Sequence, residues 1–188
     1  MNTEKIPSRN DVPSKDKWDL TKIYESDKDW EADLASIPSL AEKLESFKGK
    51  LADGADTLLA ALKADEELDR RIEKVFHYAS LLNSADQGNS TYQEMYNRAM
   101  MAYTAAQAST SFYIPELLSI PDEKINTWIE QDEFSDYRVY VKKALHIKPY
   151  TLSEKEERIM ALQSESGQTA NNAFSLLTDV DLDFGTVK

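Results

Sequence analysis

The 188 residues contain two histidines and no cysteine, so metal-assisted hydrolysis would have to be built from imidazole and carboxylate. That chemistry needs ligands on one helix face and a general base beside the metal-bound water, usually as H-E-x-x-H. His77 is followed by Tyr78-Ala79-Ser80-Leu81, and His146 by Ile147-Lys148-Pro149-Tyr150. Neither has a glutamate after it or a second histidine four residues on. His77 lies beside an apolar helix face and reads as a hydrogen-bonded packing residue. His146 falls near a helix C-terminus, where a partly charged imidazole is favourable. No catalytic, cofactor-binding or metal-ligating residue is assigned within the chain.

Asp179, Asp181 and Asp183 are spaced like the start of a calcium loop, but Phe184 stands where the loop needs glycine. The alternation with Val180, Leu182 and Phe184 predicts an amphipathic strand with its acids toward water. The five glycines form no phosphate-binding loop and no nucleophile elbow. Asn89-Ser90-Thr91 is a glycosylation sequon that reads as a helix cap. Tyr92, Tyr96 and Tyr103 share a helix face and Tyr78 lies on another; a tyrosine stripe at that spacing reads as core or interface.

The elements that would carry these residues are helical. Residues 1–26 read as an extended arm closed by the anchor Trp18-Asp19-Leu20-Thr21-Lys22-Ile23-Tyr24. A first helical segment covers 27–112. Asp27 is its expected cap, and Trp30, Leu34 and Ile37 form its first stripe. Pro38 is expected to kink or restart that helix, Leu40, Leu44 and Phe47 continue it, and Gly49 closes it. After Asp53-Gly54 come Leu58, Leu59 and Leu62. A stronger stripe follows in Leu68, Ile72, Val75, Phe76, Ala79 and Leu82. Ser90 with Gln93 resembles a capping box for a long helix from Tyr92 to Tyr113. Its small residues, Ala99 through Ala108, suit close helix packing.

A second helical segment covers 113–188 and ends in the strand. Pro115 and Pro121 bracket a connector. Ile125, Trp128 and Ile129 mark one helix, and Phe134, Tyr137, Val141 and Leu145 another. Residues 148–152 read as extended. Ser153 with Glu156 gives a second capping box. A further helix runs from about Gln168 to Leu177. Glu66/Arg70, Glu67/Arg71 and Glu154/Arg158 are spaced as i,i+4 pairs with the acid first. The fold class is therefore all-α, an antiparallel multi-helix array with a short C-terminal strand or the start of a hairpin. The segments read as one compact unit cut from a longer chain, because a lone strand cannot satisfy its own backbone groups. Its bare edge predicts weak self-association.

Net charge is −12, which opposes binding to nucleic-acid phosphates and to anionic membranes. No apolar run approaches the roughly 20 residues needed to span a bilayer, and the first residues lack a signal-peptide core. A soluble cytoplasmic protein is the simplest reading.

Several segments together resemble the amino-terminal half of oligoendopeptidase F, a family of thimet-oligopeptidase-like zinc metallopeptidases. They are the anchor 18–24 with Asp29-Trp30-Glu31, then Phe47-Lys48-Gly49-Lys50-Leu51, and then Val75 to Asp86 with Asn89. Lys148-Pro149-Tyr150-Thr151-Leu152-Ser153-Glu154-Lys155-Glu156-Glu157-Arg158-Ile159-Met160-Ala161 is the most specific, and Phe174 through Phe184 completes the likeness. The family often has histidine where Tyr150 stands. The resemblance implies a non-catalytic lobe that forms one wall of a peptide channel and limits substrates to short oligopeptides. Its partners would be the catalytic domain of the same polypeptide and oligopeptide substrates, with zinc in that catalytic part and none in this chain. An alternative from another class is a free-standing acidic helical adaptor that binds a protein or peptide partner.

Overall fold

The computed structural model describes residues 11–150 together with 170, 173, 174 and 177. The chain forms two compact units, Met1–Leu145 and His146–Lys188. The described residues hold six α-helices and no strand: α1 Asp27–Glu45, α2 Ala55–Ala85, α3 Ser90–Thr110, α4 Tyr113–Ser119, α5 Asp122–Ile129 and α6 Arg138–Ile147. The expected strand over 179–184, the self-association built on it, the Ser153 capping box and the Glu154/Arg158 pair lie outside the described residues. Within the span expected for the last helix, Ala170, Ala173 and Phe174 are helical.

The first three helices pack on one another, α1 on α2, α2 on α3 and α1 on α3. Of the stripe that the sequence marks, α1 buries Trp30, Leu34, Ile37 and Leu44; Ala41 joins them, while Leu40 and, past the helix end, Phe47 are half-buried. Helix α1 begins one residue earlier than expected. Ser26 is its cap, its side-chain oxygen accepting the Asp29 N–H at 3.4 Å, and Asp27 is its first helical residue. Pro38 does not break the helix. Ile37, Ala41 and Leu44 are buried on either side of it, and that continuous apolar face offsets the lost backbone bond. The turn after α1 ends at Gly49, whose φ of +76° is costly for any side-chain-bearing residue.

Helix α2 is one unbroken helix of 31 residues, because both apolar stripes lie on the same face. Its buried set is Leu58, Ala61, Leu62, Ala64, Leu68, Ile72, Val75, Tyr78 and Ala79. Asn89, not Ser90, caps α3. Its side-chain oxygen accepts the N–H of Thr91 at 3.0 Å and of Tyr92 at 3.3 Å. The Gln93 side chain donates instead to the Gln87 carbonyl. The sequon asparagine is thus a helix cap.

Beyond α3 the short elements differ from expectation in detail. The segment with Pro115 is a helix, α4, because proline is tolerated in a first turn where the N–H has no intrahelical acceptor. Phe134 sits in a single 3-10 turn, Asp132–Phe134, ahead of α6. Lys148–Tyr150 is another 3-10 turn, not an extended strand. The anchor is pinned by Tyr24, which is buried, while Trp18 stays 60% exposed. The Tyr24 hydroxyl donates to Asp33 at 2.8 Å, and its ring meets Tyr78 edge-on at 5.2 Å.

Candidate functional site

The feature of the described residues richest in polar chemistry is a cleft of about 400 Å³ between α2 and the start of α6. One stripe of α2 supplies Leu62, Asp65, Glu66, Asp69, Arg70 and Glu73, and Asp136, Tyr137 and Tyr140 face them. The spacing 62, 65, 66, 69, 70, 73 is one face of a helix. Five acids therefore meet one guanidinium, and that guanidinium is already engaged: Arg70 pairs with Glu66 at 2.7 Å. Glu66 also accepts the Tyr137 hydroxyl at 2.5 Å. These two donors hold the Glu66 carboxyl below the usual range, Tyr137 first and Arg70 next.

Asp65 has no such compensation. Burial and the neighbouring Asp69 push its carboxyl up to about 7, against a hydrogen bond from Tyr140 that lowers it. Asp69 is raised too, by burial and by Glu73 one turn on, although much of its surface remains in water. Like charges four residues apart on a helix repel, and in a partly desolvated groove the repulsion is screened less. Burial, with Asp65 and Asp69 close by, raises the Tyr140 phenol to about 12. The Tyr113 hydroxyl is buried without a hydrogen-bond partner.

Two further hollows carry fewer charged residues. One lies between α1 and α3, about 280 Å³, lined by Ile37, Pro38 and Ala41 against Ala102, Ala105 and Ala106. The other, about 270 Å³, sets Trp18 and Leu20 beside Leu82, Asn89 and Tyr92.

The two histidines lie on different helices. His77 is exposed on α2 rather than packed, its ring 6.3 Å from Phe76. His146 is in the last turn of α6, as expected, 6.4 Å from the Tyr150 ring. Among the described residues no group of three His, Cys, Asp or Glu is arranged to hold a metal ion. Of the tyrosines that the sequence marks, Tyr78 is buried, Tyr92 and Tyr96 are half-buried and Tyr103 stays 41% exposed. Tyr96 and Tyr103 of α3 both meet Phe76 of α2, at 5.6 and 6.1 Å, and Tyr78 donates to Asp27 at 2.9 Å. The Glu66/Arg70 pair forms, but Glu67 turns to Lys43 and Arg71 to Asp33, both on α1. Among the acids of 65–73 only the Glu66/Arg70 and Glu67/Arg71 spacings stand out in the sequence. The signal that marks the cleft is the line Asp65, Asp69, Glu73 one turn apart, next to buried Leu62.

A family model described as Oligopeptidase F matches residues 116–184. Oligopeptidase PepF of Bacillus subtilis is 35% identical over 97% of this chain, and oligoendopeptidase F of Lactococcus lactis subsp. cremoris is 33% identical over 96%. Over nearly its whole length the chain is similar to oligoendopeptidase F peptidases. Among solved structures, a peptidase from Chlamydophila abortus superposes with a TM-score of 0.72 at 26% identity, covering 96% of this chain and 31% of that one. Oligoendopeptidase F from Enterococcus faecium gives 0.65 at 28% identity, over 86% of this chain and 32% of its own length. The chain spans only 28% of the B. subtilis relative and 30% of the L. lactis one. It corresponds to the amino-terminal part of these larger peptidases. A likeness this continuous does not favour a free-standing adaptor. No helix among the described residues is long and apolar enough to cross a membrane.

Proposed function

We propose that this chain is the non-catalytic amino-terminal lobe of an oligoendopeptidase F-like zinc metalloendopeptidase of the cytoplasm. It forms one wall of the peptide channel and limits substrates to short oligopeptides. The observation that carries this reading is the 35% identity that runs over 97% of the chain to a peptidase of which the chain is 28%. The packed core of α1, α2 and α3 suits a wall that restricts by access: a stiff lobe admits a flexible peptide and turns away a folded domain. The zinc and its general base would belong to the catalytic part of the polypeptide, a reading supported by the match to oligopeptidase F.

The test uses the complete polypeptide that contains this chain. It is given a ladder of peptides of increasing length and one stably folded protein containing the same cleavable sequence. The expected result is zinc-dependent hydrolysis of the short members, falling away with length, and none of the folded protein. Cleavage of the folded protein as fast as the peptides would remove the gating role. Absence of hydrolysis of every peptide would remove the peptidase reading.

A further inference from the structure

Helix α3 packs on α1 and on α2, and its outward face is left to water. Met101 on that face is 72% exposed, and Thr104, Ala105 and Ala108 are exposed with it. Positions 101, 104, 105 and 108 share one side of a helix. Between Arg98 and Glu116 there is no charged residue, the longest uncharged run in a chain of which 30% is charged. A helix face that meets water ordinarily carries polar and charged side chains, as the earlier turns of α3 do with exposed Glu94 and Asn97. Ala105 also lines the hollow of about 280 Å³ between α1 and α3, with buried Ile37, Ala41 and Ala106. Face and hollow are therefore continuous. Alanines on both walls let a further helix seat as ridge into groove, at about 8–10 Å between axes.

We propose that the outward face of α3 and the α1–α3 hollow form one docking surface, which seats a helix from the remaining, catalytic part of the same polypeptide. The inference rests on the reading of this chain as a lobe of a longer peptidase. The chain spans 28% of the B. subtilis relative and 31% and 32% of the two solved peptidases. More than two-thirds of each therefore lies outside the matched region, and the core of a contact with so large a remainder is expected to be poor in charge. The α3 face has that composition. The seated helix presents apolar side chains to Met101, Ala105 and Ala108. It carries a lysine or arginine at the end where Glu42 and Glu45 line the hollow, since among the described residues no ion pair reaches either glutamate. A second copy of the chain suits the surface less well, because each copy has a net charge of −12 and the two repel.

The test follows methionine oxidation by dilute hydrogen peroxide, site by site by peptide mass spectrometry, in the 188-residue chain and in the complete polypeptide that contains it. Met95, 5% exposed on the covered side of α3, is the internal standard. Met101 should oxidise readily in the 188-residue chain and about tenfold more slowly or less in the complete polypeptide, because oxidation follows exposure of the sulfur. Met95 should stay slow in both, and the protection of Met101 should persist on dilution of the polypeptide to nanomolar concentration. Equal rates for Met101 in the two proteins would show an open face and overturn the proposal. Protection already present in the 188-residue chain, or lost on dilution, would assign the face to this chain's own residues or to a second copy, and overturns it too. If Met95 is also fast in the 188-residue chain, that chain is not folded alone, and the complete polypeptide decides: Met101 as slow as Met95 supports docking, and Met101 much faster refutes it. Oxidation rates do not depend on hydrolysis, so failure here leaves the peptidase reading standing. A polypeptide that protects Met101 yet cleaves no peptide would fail that reading alone.

Discussion

Glu116 Oε1 accepts the backbone N–H of Leu51 at 2.9 Å, across 65 positions of sequence. Its other oxygen accepts the N–H of Gly49 at 2.8 Å. One carboxylate in the first turn of α4 thereby closes the α1–α2 connection. Gly49 holds the left-handed conformation that turns both amides toward it.

Glu116→Ala should cost about 1–3 kcal/mol, because two amides that bonded a charge lose their acceptor, one of them partly buried. Gly49→Ala should cost about 1 kcal/mol through backbone strain alone, since a Cβ there meets nothing within 4 Å. Urea denaturation with the slope unchanged measures both. If Glu116→Ala leaves the midpoint in place, the carboxylate is not a clasp.

Trp30 is fully buried, donates from its indole to the Val75 carbonyl at 2.9 Å, and has the Arg98 guanidinium 5.3 Å from its ring. Trp30→Phe removes the donor and leaves a void, and should cost about 2–4 kcal/mol. By contrast Arg98→Ala breaks an exposed bidentate pair with Glu31 and should cost about 1 kcal/mol or less. Thermal melts of the two variants should therefore rank in that order, and the reverse ranking would contradict the packing described.

The folded-state carboxyl of Asp65 titrates at about 7, against 3.8 for an unperturbed aspartate. Between those values the native state keeps a proton that the unfolded chain has released, so this group's contribution to stability falls as pH rises. It is fully present below about 4 and gone above about 7. Asp65→Asn cannot ionise and still accepts from Tyr140. It should match the parent near pH 4 and exceed it near pH 8 by about 1–4 kcal/mol, the upper figure following from the full rise from 3.8 to about 7 and the lower from screening by the water that reaches the cleft. A stability difference that does not change with pH would place Asp65 in open water.

Asn89→Ala should lower stability by about 1 kcal/mol, because two N–H groups at the start of α3 lose their acceptor. Ser90→Ala should do little. Chemical denaturation of the pair distinguishes the true cap from the one that the Ser90/Gln93 spacing suggests.

Most of the helical core is legible in the sequence, since a stripe repeating at 3.6 residues can be buried only one way. Trp30, Ile37 and Leu44 on α1, or Leu68, Ile72 and Val75 on α2, need no partner to be recognised. What fails to show is whatever depends on which helix lies opposite. Glu67 and Arg71 are well spaced to pair with each other, yet each finds a better partner on α1. The cleft is hidden for the same reason: Tyr137 and Glu66 are 71 positions apart, and no local pattern joins them. Caps slip by one residue because serine and asparagine compete for the same amides. Asn89 wins at α3 by reaching two of them.

The clasp between Glu116 and the 47–51 turn also bears on inheritance. The region matched by the family model begins at residue 116, yet the amides that its first residue holds lie well before it. A natural or engineered chimera joined just ahead of Glu116 would set a clasp from one lineage against a turn from another. The two sides of that seam are expected to co-vary, and grafts that carry the turn with its carboxylate should be accepted more readily than grafts that part them.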